Sequence, residues 1–169
     1  MKKIFLSGTV LMLLVTACDK KDNKNTNNSM DQTFVTQVAV GNNAEIQAGQ
    51  LAATRGNSAS VRSFGQMMVT EHGQAQTDLK STGSTAGIAV SDSVDAEHRA
   101  LMTRLNSLSG YSFDTAYLNS QVNDHTKTLT IFQNEVNSGN NQNIRNYASQ
   151  YLPHIQMHLQ TADSILHHL

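Results

Sequence analysis

The sequence predicts an all-α protein, an antiparallel four-helix bundle with an additional short helix in the connection between its two hairpins. Three observations predict this fold class. Four long stretches repeat apolar residues at alternating steps of three and four, which is the period of one helix face. Proline occurs once in 169 residues, at Pro153, so long helices are permitted almost everywhere. Aromatic residues make up only 5% and Trp is absent, so the core is built from aliphatic side chains, which suits closely packed helices.

The first two long helices are predicted on either side of a turn at Gly56 and Asn57. Asp31 is the predicted N-cap of the first helix and Ser58 that of the second, because their side-chain oxygens can accept from free backbone N–H groups. A longer loop is expected at residues 81–91. The residues that share the inward face of these two helices are Phe34, Val38, Gly41, Glu45, Ala48 and Ala52, then Val61, Met68, His72, Ala75 and Leu79.

Residues 92–108 predict a shorter helix, and Gly110 separates it from the third long helix. A turn at 138–140 precedes the fourth. The inward faces of the last two helices are formed by Leu118, Val122, His125, Leu129, Phe132 and Val136, then Ile144, Ala148, Tyr151, Ile155, His158, Ala162, Ile165 and Leu169. Tight turns after the first and third helices imply antiparallel hairpins. The connection between the hairpins is compatible with a crossover or with a simple return.

An internal repeat relates the two predicted turns. Residues 56–64 are GNSASVRSF and residues 139–147 are GNNQNIRNY. Gly, Asn, a β-branched residue, Arg and an aromatic residue recur at a separation of 83 positions. Both stretches join one long helix to the next, so we interpret them as two related hairpins with approximate two-fold symmetry.

The N-terminal sequence MKKIFLSGTVLMLLVTAC is typical of a bacterial lipoprotein leader. Two lysines precede a short apolar run that is too short for a permanent membrane span, and small residues then lead to Cys18. The sequence therefore predicts a signal peptide at 1–17 and lipid attachment, such as palmitate, at Cys18. Residues 18–30 are the lipidated Cys and a polar, flexible tether, and 31–169 are the bundle domain.

This leader predicts a protein of the bacterial cell envelope, held by a lipid anchor at the outer membrane or the periplasmic face. The membrane is the expected partner through that anchor. Protein partners are not indicated by any motif. The formal net charge is −1 and no dense basic cluster is present, which argues against nucleic-acid binding.

Each predicted long helix has one ionisable residue in its apolar stripe, namely Glu45, His72, His125 or His158. Counting from the turns, residues on paired helices differ in height by roughly three to four positions, or about 5 Å. Side chains can bridge such an offset, so the four could meet in the bundle core. One carboxylate and three imidazoles suit Zn²⁺, Cu²⁺ or Fe²⁺, and these four residues are the candidate metal ligands.

Two alternatives remain beside a metal site. The same residues could be a buried polar network that only fixes helix register in a non-catalytic envelope interaction module. An enzyme is the least favoured reading, because no phosphate-binding loop, nucleophile elbow or Cys nucleophile is found. Glu71-His72 and Asp124-His125 lack the Glu-x-x-His spacing of di-iron centres. His154 lies four residues before His158 and is interpreted as a surface residue.

Three segments resemble a bacterial family known as domain-of-unknown-function family 4142, whose members are often labelled outer-membrane or exported proteins. They are FGQMMVTEH at 64–72, LSGYSFDTAYLNSQVNDHTKTLTIF at 108–132 and YLPHIQMHLQTA at 151–162. The resemblance covers residues 31–169 and implies a ferritin-like bundle with a crossover connection. It supplies no activity.

The resemblance also implies that recurrent polar positions of the family correspond to Glu45, His72, Asp114, Tyr117, His125 and His158. His154 does not match such a position, which favours an inward His158 and an outward His154. For Asp114 we expect a role in capping the third long helix, and for Tyr117 a hydrogen bond across the bundle.

Overall fold

The computed structural model describes residues 24–169, which form helices and connecting segments without a strand. The helices are α1 (Lys24–Arg55), α2 (Ala59–Ala86), α3 (Ala96–Asn106), α4 (Gly110–Ser138) and α5 (Gln142–His167). Four are long, and the short α3 lies in the connection between α2 and α4, as the sequence predicts. None of the described helices is both long and apolar enough to cross a membrane. The predicted signal peptide 1–17 and Cys18 lie outside the described residues.

Several helix ends differ from the sequence prediction. Helix α1 begins at Lys24, so Asp31 lies inside the helix and the later part of the predicted tether is helical. Helix α2 continues to Ala86 and ends at Gly87, whose φ of 72° is left-handed and favours glycine. Ser58 does cap α2, because its Oγ accepts from the backbone N–H of Val61 at 3.1 Å.

The four long helices pack side by side as a helical bundle. Helix α1 packs on α2 and α4 packs on α5, while further contacts join α2 to α5 and α1 to α4. Two glycines allow a close approach between α1 and α2. A Cβ on Gly49 would lie 2.8 Å from the Gly65 carbonyl oxygen, and one on Gly65 would lie 2.6 Å from the Ala53 nitrogen. Larger side chains at these positions would push the two backbones apart.

The connection between α2 and α4 runs along the bundle. At its start, Ile88 is buried in an apolar cluster with Phe34 and Phe132. Near its end, Leu105 of α3 is buried in a second apolar cluster with Ala52 and Phe113. The chain therefore passes from one end of the bundle to the other before α4 begins.

Two buried aspartates join the halves of the bundle reciprocally. The Asp114 carboxylate of α4 accepts from the backbone N–H groups of Asn57 and Ser58, at 2.8 Å each. The Asp31 carboxylate of α1 accepts from the backbone N–H groups of Asn140 and Asn141, at 2.9 and 3.1 Å. The turn between α1 and α2 is thus held by α4, and the turn between α4 and α5 is held by α1. The two aspartates are 83 residues apart, the same separation as the turn repeat.

The expected role of Asp114 as the cap of its own helix is therefore wrong. The residue preceding α4 is Ser109, and Asp114 lies one turn inside α4 with both carboxylate oxygens on the turn before α2. The expected hydrogen bond of Tyr117 is not found either, since its buried hydroxyl has no partner among the described residues. Burial raises the pKa of Tyr117 well above its usual value.

A polar layer separates the two apolar clusters. The cluster around Phe34 and the cluster around Phe113 occupy the two ends of the bundle. His72 lies between the clusters, because Met68 before it belongs to one cluster and Ala75 after it belongs to the other. His125 of α4 and His158 of α5 lie at the same level. Apolar side chains pack against this layer from both ends of the bundle.

Replacing Asp114 by Asn should lower the free energy of unfolding by about 3 kcal/mol, because a buried carboxylate that accepts two N–H bonds would be lost. Urea denaturation of both proteins measures the change. The control is Asp163→Asn on α5, where the side chain is exposed, with an expected change of less than about 0.5 kcal/mol. Equal stabilities for the two variants would contradict the structural role of Asp114.

Candidate metal centre

Three buried imidazoles meet in the polar layer. His72 of α2, His125 of α4 and His158 of α5 are only 5%, 2% and 1% exposed. One nitrogen of each ring lies within 4.8 Å of one nitrogen of each other ring. His125 Nε2 lies 3.3 Å from His158 Nδ1. The helix stripes predicted that all three side chains face inward, and this is where they lie.

The outer nitrogens of two rings are bound to groups that can only accept. His125 Nδ1 lies 3.0 Å from the backbone oxygen of Gln121, and His158 Nε2 lies 3.0 Å from Glu71 Oε2. A carbonyl or an ionised carboxylate has no proton to give, so both of these ring nitrogens donate. In the neutral rings, His125 Nε2 and His158 Nδ1 then each present a lone pair to the centre.

A chain of amides orients the third ring. Gln76 Nε2 donates to the backbone oxygen of Ser91 at 3.3 Å, so Gln76 Oε1 faces Asn42 and accepts from its Nδ2 at 3.3 Å. The other oxygen in this chain, Asn42 Oδ1, therefore faces His72 and accepts from His72 Nδ1 at 3.0 Å. His72 Nε2 is left with a lone pair and has no hydrogen-bond partner among the described residues.

Burial keeps the three rings neutral at pH 7. It lowers the pKa of His125 to about 4 and that of His158 to about 4, with the charge of His125 adding to the effect on His158. Burial, followed by the charges of the two neighbouring histidines, lowers the pKa of His72 well below its usual value. Three lone pairs without protons thus converge, and no positive charge opposes a cation there.

The fourth predicted ligand, Glu45, lies beside this group and not within it. Its Oε2 accepts from Gln121 Nε2 at 2.6 Å, and its Oε1 is 3.9 Å from His125 Nδ1, the outer nitrogen of that ring. Burial raises the pKa of Glu45 to about 7. On α1 the residue level with His72 is Asn42, three positions earlier, which agrees with the height offset expected from the sequence.

Glu71 is a residue of the site that the sequence analysis did not select. Its Oε2 accepts from His158 Nε2 at 3.0 Å and from His154 Nδ1 at 2.9 Å. His154 is indeed on the surface, with a side chain that is 48% exposed, but it is joined to His158 through this carboxylate. The sequence relates the two residues only by their separation of 83 positions, which is also the separation of the two turns.

A cleft between α1 and α4 leads to the histidines from outside. Its volume is about 240 Å³, and its lining includes Glu45, His72 and His125 at the inner end. At the outer end lie Glu97 and Lys127, whose side chains are largely exposed, so the cleft opens to solvent. The third histidine of the cluster does not line it.

The described residues thus form an all-helical bundle with a buried cluster of three histidines beside a solvent-accessible cleft. A model of the family described as Domain of unknown function (DUF4142) matches residues 16–165, and the chain belongs to that family. This confirms the family resemblance predicted from the sequence. No protein of curated function and no solved structure matches the chain.

The buried state of His125 predicts a specific pH dependence in metal-free protein. Because its folded-state pKa of about 4 lies below the usual 6.5, the unfolded chain takes up a proton first as the pH falls. His125 therefore destabilises the fold progressively between pH 6.5 and 4, by up to about 3 kcal/mol. In His125→Gln this contribution is absent, so the variant gains stability relative to wild type as the pH falls.

Urea denaturation with a chelator at pH 7, 5.5 and 4 measures this difference. The comparison of two proteins cancels the opposite contribution of Glu45, which both contain. The control is His167→Gln, which removes an exposed ring on the last turn of α5, outside the histidine cluster. Parallel pH profiles for wild type and His125→Gln would show that the ring is not held neutral in the fold.

Proposed function

We propose that this protein binds one divalent transition-metal ion through His72 Nε2, His125 Nε2 and His158 Nδ1. The observation that supports the proposal most strongly is that each ring has its outer nitrogen bound to an acceptor, leaving the three inner nitrogens as convergent lone pairs. This is the arrangement of histidine ligands in metal sites, where a second group fixes the tautomer and the direction of each ring.

One nitrogen–nitrogen distance matches tetrahedral coordination, and the donor atoms of all three rings lie within 4.8 Å of one another. Two nitrogens bound tetrahedrally at 2.0–2.1 Å from Zn²⁺ lie about 3.3 Å apart, and His125 Nε2 is 3.3 Å from His158 Nδ1. Without an ion, two lone pairs would face each other at that distance and His72 Nε2 would be buried without a partner. A metal-free network is therefore the less favourable account, because unpaired buried polar atoms are costly.

The donor set restricts the metal to a class. Three neutral imidazoles without a thiolate suit Zn²⁺, Cu²⁺ or Fe²⁺, and the usual affinity order ranks Cu²⁺ first among these ions. Glu71 would act on His158 and not on the ion, since its oxygen is bound to the outer nitrogen of that ring.

We further propose that the bundle is an antiparallel, ferritin-like arrangement anchored in the cell envelope by lipid at Cys18. Support for the topology comes from the helix neighbours and from the connection that passes along the bundle before α4. Support for the location in the cell envelope comes from the leader sequence and its single Cys at the end of the apolar run. The metal would then be bound outside the cytoplasm.

Metal binding should stabilise the fold, because only the folded chain brings the three rings together. An ion at about a thousandfold excess over its dissociation constant adds roughly 4 kcal/mol, which raises the melting temperature by about 10 °C. We expect this shift for Zn²⁺ or Cu²⁺ with wild-type protein and none with His158→Ala. Thermal unfolding with metal analysis of the dialysed protein provides the measurement.

His167→Ala is the matched control, since it removes an exposed imidazole from the same helix whose Nδ1 contacts Asp163 and not Glu71. It should keep the full thermal shift and one bound ion per chain. If no metal stabilises wild type, the metal function is wrong and the buried residues form a structural network. If both variants respond alike, the ion binds elsewhere.

Lipid attachment predicts that Cys18→Ala releases the protein from the membrane fraction. Cell fractionation followed by immunoblotting measures the distribution, and Ser7→Ala in the same leader is the control with an unchanged Cys. Wild type and Ser7→Ala should sediment with membranes. Full membrane retention of Cys18→Ala would exclude lipid as the anchor.

A further inference from the structure

We propose that the cleft between α1 and α4 binds a small, electrically neutral molecule whose donor atom coordinates the metal held by His72, His125 and His158. This inference rests on the proposed metal function and extends it. The site would then be one that receives an exogenous ligand, and not a closed structural site. Three observations support it: the incomplete donor set, the position of the cleft and the chemistry of its walls.

The protein supplies three donors to the centre. Four-coordinate metal sites with three protein ligands keep the fourth position for water or substrate. Glu45 is the nearest further candidate, but Gln121 Nε2 binds its carboxylate at 2.6 Å and the closest imidazole nitrogen is the outer one of His125. The fourth position is therefore left to a molecule that comes from solvent.

The cleft provides the space for that molecule. Two of the three histidines, His72 and His125, form part of its inner wall, and its outer end is open. A volume of about 240 Å³ corresponds to roughly eight water molecules at ~30 Å³ each. That is room for a small organic molecule in contact with the centre. His158 is approached from the other side, by Glu71.

The walls select the class of ligand. Val38, Ile131 and Phe132 make much of the inner surface apolar, which suits a compact apolar or aromatic body. Three carboxylates other than Glu45 line the cleft against a single lysine, so the charge of the lining is net negative and an anion would be repelled. These residues are Asp95, Glu97, Asp124 and Lys127. A neutral molecule with one nitrogen donor and an aromatic body fits both properties.

Gly41 of α1 offers a way to close the cleft without disturbing the packing. It lines the cleft, and a Cβ added there would meet nothing within 4 Å. Gly41→Leu therefore fills the cleft. Gly73 of α2 is the matched control: it is also inside a long helix, its Cβ would also meet nothing within 4 Å, and it does not line the cleft.

The experiment titrates benzimidazole into Co²⁺-loaded protein and follows the visible absorption of the ion, with azide as the anionic probe. Cobalt content is measured for every sample. We expect a saturable spectral change with benzimidazole in wild type and Gly73→Leu. In Gly41→Leu the apparent dissociation constant should rise at least about tenfold at equal cobalt content, because the leucine occupies the pocket. Azide should produce a weaker response than benzimidazole.

The outcomes distinguish failure of the ligand pocket from failure of the proposed metal site. Failure of wild type to load cobalt overturns the proposed metal site. Normal loading without a benzimidazole response, or identical titrations for Gly41→Leu and Gly73→Leu, overturns the ligand pocket alone. A stronger response to azide overturns the neutral class. If Gly41→Leu does not fold, Thr128→Leu closes the cleft from the α4 wall and is judged by the same criteria.

Discussion

The structure depends on how buried polar groups are paired in the middle of the bundle. Three buried imidazoles lie in a layer with apolar clusters on both sides, where an unpaired ring nitrogen would be costly. Each outer nitrogen instead finds an acceptor on the protein: Asn42 Oδ1, the Gln121 carbonyl and Glu71 Oε2. These bonds fix ring direction and tautomer together. The chemistry at the centre follows from them, because they decide which nitrogens have lone pairs.

The same requirement orders the ends of the bundle. Asp31 and Asp114 each place a carboxylate on the backbone N–H groups of the opposite hairpin turn, and the two positions correspond in the internal repeat. The polar layer does not follow that symmetry. At the repeat separation of 83, Asn42 corresponds to His125, but His72 corresponds to Ile155. The two aspartate contacts thus follow the repeat, while the residues of the candidate metal centre do not.

The sequence predicted where the helices are and which of their faces point inward, but it predicted the helix ends less well. The loop expected from 81 begins only at 87, because residues 81–86 remain helical in contact with the following chain. A Cβ at Gly83 would lie 2.7 Å from Val90 Cγ2, so the glycine that looks like a helix breaker in the sequence allows Val90 to pack against the helix. Asp31 resembles a cap in sequence, yet its carboxylate serves a turn more than a hundred residues away. Local helix and capping propensities predict neither the contact of Gly83 with Val90 nor that of Asp31 with the distant turn.

The sequence by itself determined the all-helical class, the family and the inward direction of His72, His125 and His158, because periodicity fixes the face on which a side chain lies. Tertiary structure decided the heights at which those faces meet. It placed Asn42 level with His72 and Glu71 beside His158, where each accepts a hydrogen bond from the ring. Glu45 instead accepts a hydrogen bond from Gln121 and does not face the centre. Helical periodicity contains no information about how far one helix is shifted along its axis relative to another. That shift decides which side chains of neighbouring helices are level and can form hydrogen bonds. The exception is His125, whose acceptor is the carbonyl one turn earlier on its own helix.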